Sequence, residues 1–373
     1  MAISNIKRGR KPTTLLFSRC RAPPFNEIVF NKARIANLGL NFNYELDFWG
    51  KNRETFAGRL NEAFAANMDL AETRLVLSST VASTYFELQN DIIQQQLAKE
   101  NVRLLKELED IVLDRAKQGI QSDIPLKTAI SNTQAARLSI EDYKRMELQS
   151  RHQLAVLLGK NPFNTQINTE KFSYNKKQLA LPEVISTNVL ARRPDIAASR
   201  ALTEAAAHQI NVARAAFFPD INLSGILNLQ SFYFTRFFHV ALQTEGVKAA
   251  LSLPIFDAGA RRANLGTKYA EFELAVNQYN QTILNALQEV TNQMAALKTL
   301  GQQIQDQTKA LDTTLSNYKL FRSSYTAGII DYVQVLEIKQ LLVQQRATLY
   351  GLQTRQKQAF VALLAALGGE VQK

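Results

Sequence analysis

Chemistry at neutral pH needs titratable or nucleophilic side chains at close spacing, and this chain of 373 residues offers few such sets. Its single cysteine is Cys20, and its three histidines, His152, His208 and His239, stand far apart with no HExxH spacing. There is no Walker loop, no GxGxxG turn and no GxSxG elbow. The sequence therefore presents no catalytic constellation, no metal-ligand set and no cofactor cradle, and it points away from an enzyme. The carboxylates that do fall into a pattern are Glu45 and Asp47, within NLGLNFNYELDFWGKN at 37–52. From Leu38 to Phe48 every second residue is apolar, and Gly39, Asn41, Asn43, Glu45 and Asp47 lie between. At a period of two, all the apolar side chains share one face of a strand and the acids share the other. Such a strand separates two solvents: water on one side, and a protein core or lipid on the other.

The elements around it are unusual in length. Arg59 to Gln118 contains neither Gly nor Pro. Helical throughout, these residues would span about 90 Å at about 1.5 Å each. Apolar residues recur at steps of three or four, as Leu77, Val81, Tyr85, Leu88, Ile92, Val102, Leu105, Leu108 and Val112. That predicts a narrow coiled-coil-like stripe on an otherwise polar rod. Gly119, Ser122 or Asp123, and Pro125 read as C-cap, N-cap and first turn of a returning helix, Pro125–Leu158, which stops at Gly159. Residues 163–183 are polar and irregular, with a short helix near 183–191. Pro194-Asp195 opens an Ala-rich helix to about Ala216. Alternation returns at 221–229 and 247–255, flanking the aromatic cluster Phe232, Tyr233, Phe234, Phe237 and Phe238. Another long helical stretch follows to Thr326, then a tip at Ala327–Asp331 and a last helix ending at Leu367-Gly368-Gly369.

The two halves repeat one object. Gly50 corresponds to Gly259, Gly119 to Gly328 and Gly159 to Gly368, each 209 positions on, and Leu38/Val247, Arg53/Arg262, Leu88/Leu297 and Leu158/Leu367 keep the same offset. The predicted division is an atypical N-terminal segment 1–36, a first repeat 37–182 and a second repeat 183–373. Each repeat is a strand, a long helix, a tip and a returning helix. The second also carries a preceding strand and the Ala-rich helix. Residues 1–36 do not read that way, so the first repeat is expected to lack its opening strand, and Leu38–Phe48 its neighbour.

Composition narrows the class. The net charge of +11 permits an anionic partner, yet apart from Lys7–Lys11 (KRGRK) the basic residues are dispersed, which disfavours nucleic acid. No run of about 18 apolar residues suggests a transmembrane helix. The N-terminus has a basic stretch, but its apolar part is only Leu15-Leu16-Phe17, and Arg19 precedes Cys20 where lipoprotein processing expects a small residue. An eleven-residue strand is long enough to cross a membrane within a closed barrel, whose smallest form has about eight strands. With three or four strands the chain must oligomerise.

Four passages carry a family resemblance. Residues 181–220, LPEVISTNVLARRPDIAASRALTEAAAHQINVARAAFFPD, resemble the LP…L…RRPD…AE…A…A…FP signature of the TolC/OprM/NodT outer-membrane efflux channels. ELDFWGKNR (45–53) and PIFDAGARRANL (254–265) resemble that family's two strand-to-helix junctions, and YTAGIIDYVQVLEIKQLL (325–342) its second periplasmic tip. The resemblance runs from about Asn37 to the C-terminus. It implies a mainly α fold with a small β part: a homotrimer whose strands form a transmembrane β-barrel in outer-membrane lipid and whose helices form a periplasmic α-barrel. It further implies docking on a periplasmic adaptor joined to an inner-membrane transporter, with no cofactor. Asp331 and Glu337 match the acids that narrow the periplasmic aperture, although Gln334 stands where a further carboxylate is usual. Gly119, Asp123 and Gly328 match the tips, and Trp49, Gly50 and Gly259 the strand–helix junctions. The leading reading is an outer-membrane duct for small molecules. The alternatives are a protein-secretion duct of the same fold, a soluble coiled-coil scaffold, and a truncated relic.

Overall fold

The computed structural model describes residues 36–163, 167, 192–231 and 242–369. The N-terminal segment, most of 163–191 and the aromatic cluster Phe232–Phe238 lie outside the described residues. The fold is mostly helical with one small sheet. Its elements are β1 (Ala36–Leu46), α1 (Lys51–Lys117), α2 (Asp123–Leu157), α3 (Pro194–Ala215), β2 (Asp220–Ser231), β3 (Leu242–Ser252), α4 (Ala260–Thr326) and α5 (Tyr332–Ala366). α1 and α4 are each 67 residues long and start at Lys51 and Ala260, 209 positions apart. α2 and α5 are each 35 residues long and start at Asp123 and Tyr332, again 209 apart.

The chain divides into two compact units, Met1–Leu60 with Glu204–Glu273, and Asn61–Thr203 with Leu274–Lys373. Each takes segments from both sequence repeats, because the strands of the two repeats pair with one another.

The first unit holds an antiparallel sheet of order β1-β2-β3. β1 pairs with β2 from Ala36↔Ser231 to Leu46↔Ile221, and β2 with β3 from Asp220↔Ser252 to Gln230↔Leu242. β2, from the other repeat, is thus one neighbour of β1, and the other edge of β1 has no strand beside it among the described residues. β1 also ends two residues earlier than the alternation, at Leu46. The reason is local. The Asp47 carboxylate accepts the Asn52 and Arg53 amides at 3.0 and 2.9 Å, so residue 47 already serves as a helix cap and cannot continue the ladder. α1 accordingly begins at Lys51, ahead of the Arg59 suggested by the Gly- and Pro-free run. β3 is shifted likewise, occupying Leu242–Ser252 where the sequence suggested 247–255.

In the second unit α1 and α2 pack antiparallel, with Asp91 against Ser150 and Gln95 against Glu147. The largest apolar cluster joins Ile196 of α3, Ala286, Val290 and Leu297 of α4, and Ala359, Leu363 and Ala366 of α5. Leu104 of α1 packs with Leu336 and Val343 of α5, and Ala65 of α1 with Ala198 and Ala201 of α3. The stripe expected on α1 is buried at Leu88, Leu105 and Val112 but exposed at Leu77, while Asp91 and Gln94 are buried within it. Much of the remaining helix surface is polar. Among the described residues no helix is long and apolar enough to cross a membrane.

Candidate functional site

The strand alternation becomes a two-faced sheet. The register sets Leu40 beside Leu227, Tyr44 beside Leu223 and then Ala249, and Leu46 beside Ile221 and then Leu251. The other face carries Asn43, Glu45, Asn222, Ser224 and Lys248, with Ile226 its one large apolar side chain among these central positions. Among the described residues nothing covers the apolar face: Val247 is 80% and Leu251 70% exposed, and Leu40, Phe42 and Tyr44 are also exposed. A soluble sheet would bury these positions; a sheet facing hydrocarbon leaves them open.

At the helix-proximal edge of the sheet lies a dense junction. The Trp49 indole donates to the Pro219 carbonyl at 2.9 Å and stacks on Phe218 at 4.5 Å between centroids. Gly50, with φ +76°, turns the chain into α1. Lys51 reaches back to Glu45 at 2.9 Å and Asp220 at 3.5 Å, and the Glu45 hydrogen bond holds its ammonium above the usual range. Glu54 of α1 meets His208 at 2.8 Å and Asn211 at 2.9 Å, both on α3; these contacts hold its carboxyl below the usual range. The second junction turns at Ala258 and Gly259, with φ of 54° and 87°. There Asp257 accepts the Arg261 amide at 3.1 Å, and Arg261 also donates to the Pro254 carbonyl and lies over the Phe217 ring. The backbone hydrogen bonds depress the Asp47 and Asp257 carboxyls.

The two tips share one backbone device. The Gly119 amide bonds to the Ala116 carbonyl and that of Ile120 to Arg115; the Gly328 amide bonds to Tyr325 and that of Ile329 to Ser324. This is the double hydrogen bond of a Schellman cap, which needs φ > 0 at its glycine. φ is +72° at Gly119 and +71° at Gly328, and a Cβ at either would meet open space, so only the backbone demands glycine. The tips differ in their charges. Ser122 starts α2 without a side-chain cap, and Asp123 is exposed with no partner among the described residues. Asp331, by contrast, caps α5 through the Val333 amide, and both its oxygens accept from Arg115 Nη2, at 2.7 and 2.6 Å. That guanidinium holds the Asp331 carboxyl below its ordinary range. The next residue, Tyr332, donates to Glu107 at 2.8 Å and packs on Tyr325. Glu337 is exposed and makes no hydrogen bond or ion pair among the described residues. So the two aperture acids inferred from the sequence differ: Asp331 is occupied and Glu337 is free. Arg115, Glu107 and Tyr332 were not singled out by sequence reasoning. Arg115 and Asp331 are 216 positions apart, and no local pattern connects them.

The RRPD passage also acquires a physical role. Arg193 is 6% exposed. It forks onto both oxygens of Asp195 at 3.0 and 2.8 Å, and its Nη1 donates to Glu289 of α4 and to the Ala366 carbonyl at the end of α5, both at 2.9 Å. One side chain thus ties the start of α3 to α4 and α5. A second buried polar pair lies between α1 and α2, where Ser150 donates to Asp91 at 2.7 Å. Burial raises the Asp91 carboxyl, and Glu87 and Glu147 push it further. Among the described residues no group of three or more His, Cys, Asp or Glu could hold a metal ion.

With this geometry established, comparison with known proteins is direct. The sequence profile of the outer membrane efflux protein family matches residues 27–160 and 185–369. The chain is 30% identical over 348 residues to the multidrug resistance outer membrane protein MdtQ of Escherichia coli O6:H1, covering 89% of this chain and 69% of the relative. It is likewise 30% identical over 336 residues to the probable efflux pump outer membrane protein TtgC of Pseudomonas putida, covering 90% of this chain and 69% of that one. Among solved structures it is similar to the outer membrane protein VceC of Vibrio cholerae, with TM-score 0.78, 26% identity and coverage of 90% of this chain and 80% of VceC. It is also similar to the CmeC outer membrane channel of Campylobacter jejuni, with TM-score 0.81, 25% identity and coverage of 90% and 72%.

Proposed function

The chain belongs to the outer membrane efflux protein family, and from that premise we propose that it is one subunit of a trimeric duct serving a tripartite efflux system. Its place is the outer membrane, with a periplasmic helical extension. The observation that carries the reading is the exposed apolar face shared by all three strands, Leu40, Phe42, Val247 and Leu251 included. Three strands cannot enclose a lumen, so copies must combine, with the apolar face toward lipid and Glu45, Asn222 and Lys248 toward water. The work is conduction rather than catalysis. The cargo is a small molecule moved from periplasm to exterior, as the names of MdtQ and TtgC suggest for those proteins. The partners are a periplasmic adaptor at the tips and an inner-membrane transporter beyond it. A soluble coiled-coil scaffold would gain nothing from an uncovered apolar sheet.

Within this reading the repeats 37–182 and 183–373 are the two hairpin columns of each subunit. Gly119, Asp123 and Gly328 shape the tips that meet the adaptor. Trp49, Gly50 and Gly259 hold the turn from strand to long helix. Glu337 supplies a ring of three free carboxylates at the periplasmic aperture, and Asp331, bound to Arg115, sets the angle of the second tip. Detergent extraction of outer membranes should yield a trimer; a stable soluble monomer overturns the proposal. In planar bilayers Glu337→Gln should lower cation selectivity, and unchanged conductance and selectivity would remove Glu337 from the aperture.

A further inference from the structure

We infer that Lys248 is a charge filter of the duct: its three copies ring the lumen of the β-barrel and favour anionic solutes there; this rests on the outer-membrane reading above. The first observation is register. Lys248 pairs with Ser224, which pairs in turn with Asn43, so the lysine lies on the polar face of the sheet. Over the described strands that face has three ionisable positions, Glu45, Asp220 and Lys248. Glu245 belongs to the opposite face, level with Leu227. The second observation is that both acids are held by another cation. Lys51 meets Glu45 at 2.9 Å and Asp220 at 3.5 Å. Lys248 is exposed, and its side chain makes no ion pair or hydrogen bond among the described residues.

The third observation is room and distance. On its own strand the same-face neighbours of Lys248 are Gly246 and Ala250, and a Cβ at Gly246 would meet nothing within 4 Å. Across the sheet stand Asn43 and Ser224, and the Ser224 hydroxyl donates to the Lys248 carbonyl at 3.4 Å. The ammonium therefore extends from a wall of small and neutral side chains. At about 4.8 Å between strands and about 3.4 Å per residue, Glu45 and Asp220 stand more than about 10 Å away along the sheet. That is about one screening length in 0.1 M salt. A lysine on an edge strand can also serve to block unwanted pairing, but a closed barrel has no edge to protect. In a trimer the position recurs three times around one lumen, and rings of lysine or arginine make a pore favour anions. With each ammonium about 10 Å from the axis, three would enrich a monovalent anion there about twofold in 0.1 M salt and about fourfold in 0.01 M, where screening reaches about three times as far. The solutes favoured are those that carry carboxylate, sulfonate or phosphate groups.

The test uses the intact protein in planar bilayers under a potassium chloride gradient, with the reversal potential giving the preference for chloride over potassium. Lys248→Gln should lower that preference about twofold in 0.1 M salt and about fourfold in 0.01 M, and Lys248→Glu should lower it about fourfold in 0.1 M. The direction is opposite to that of Glu337→Gln, which removes a carboxylate. Lys248→Arg, which keeps the charge, should retain the wild-type preference. An unchanged preference in Lys248→Gln, an equal fall in Lys248→Arg, a shift that does not grow as salt is lowered, or loss of channels in the glutamine variant would overturn the inference; loss of channels would assign Lys248 to assembly. A wild-type protein that forms no channel would instead overturn the outer-membrane reading beneath it, and the filter with it.

Discussion

Replacing Arg193 by alanine removes four hydrogen bonds from a side chain that is almost fully buried. It leaves Asp195 without its fork and the Ala366 carbonyl without its donor. Breaking a buried ion pair from one side costs about 3–5 kcal/mol, because the remaining charge stays desolvated. Arg193→Lys keeps the charge but not the planar fork, and should cost about 1.5–3 kcal/mol. Glu289 is more than half exposed, so Glu289→Gln should cost less than about 1 kcal/mol after solvent screening. Glu72 sharpens the test. Its carboxyl is already raised, first by burial and then by Asp195. Arg193 is the cation that opposes this rise, so without it the Glu72 carboxyl moves further up and its ionisation opposes folding more strongly. The deficit of Arg193→Ala should therefore be smaller at about pH 5 than at about pH 7.5, because acid neutralises Glu72. Thermal unfolding of the detergent-solubilised protein, followed by far-ultraviolet circular dichroism at a fixed scan rate, should show a midpoint lowered by about 5 °C for Arg193→Ala. A shift no larger than that of Glu289→Gln, or a deficit that grows toward acid, would refute the assignment of Arg193 as the tie among α3, α4 and α5.

Other outcomes follow from the same geometry. Gly119→Ala and Gly328→Ala should each cost about 1–2 kcal/mol in the same melt, since only the left-handed backbone is at stake. Arg115 depresses the Asp331 carboxyl, so this pair contributes above the ordinary carboxylate range and is lost as pH falls through the lowered value. Arg115→Gln should abolish that acid dependence, seen as acid-induced change in tip proteolysis, and an unaltered profile would count against the pair. Asp91 has the opposite sign: its raised carboxyl favours the protonated fold, so its contribution is present in acid and fades as pH rises. The corresponding positions of the second repeat are Leu300 and Ala359, packed in the largest apolar cluster. Copying them, as Asp91→Leu with Ser150→Ala, should flatten the pH dependence of the melt above about pH 4, and an unchanged slope would show that Asp91 is not its source.

Much of this protein is legible along the chain because its signals are local. Alternation from Leu38 to Phe48 fixes which side chains share a face of β1, since the pleat has a period of two whatever the strand pairs with. Tip glycines announce the helix ends, because a Schellman cap is built from six consecutive residues. The 209-position offset exposes the repeat, and helix starts and lengths obey it. Tertiary structure decided what local rules cannot reach. β1 takes β2 as its partner only because the chain returns some 180 residues later, and the Asp47 cap, not the alternation, sets where the strand ends. Asp331 and Glu337 look alike in sequence. Folding brings Arg115 to Asp331 and leaves Glu337 open, because an ion pair depends on distance in space, and positions 115 and 331 meet only when α1 lies beside the second tip.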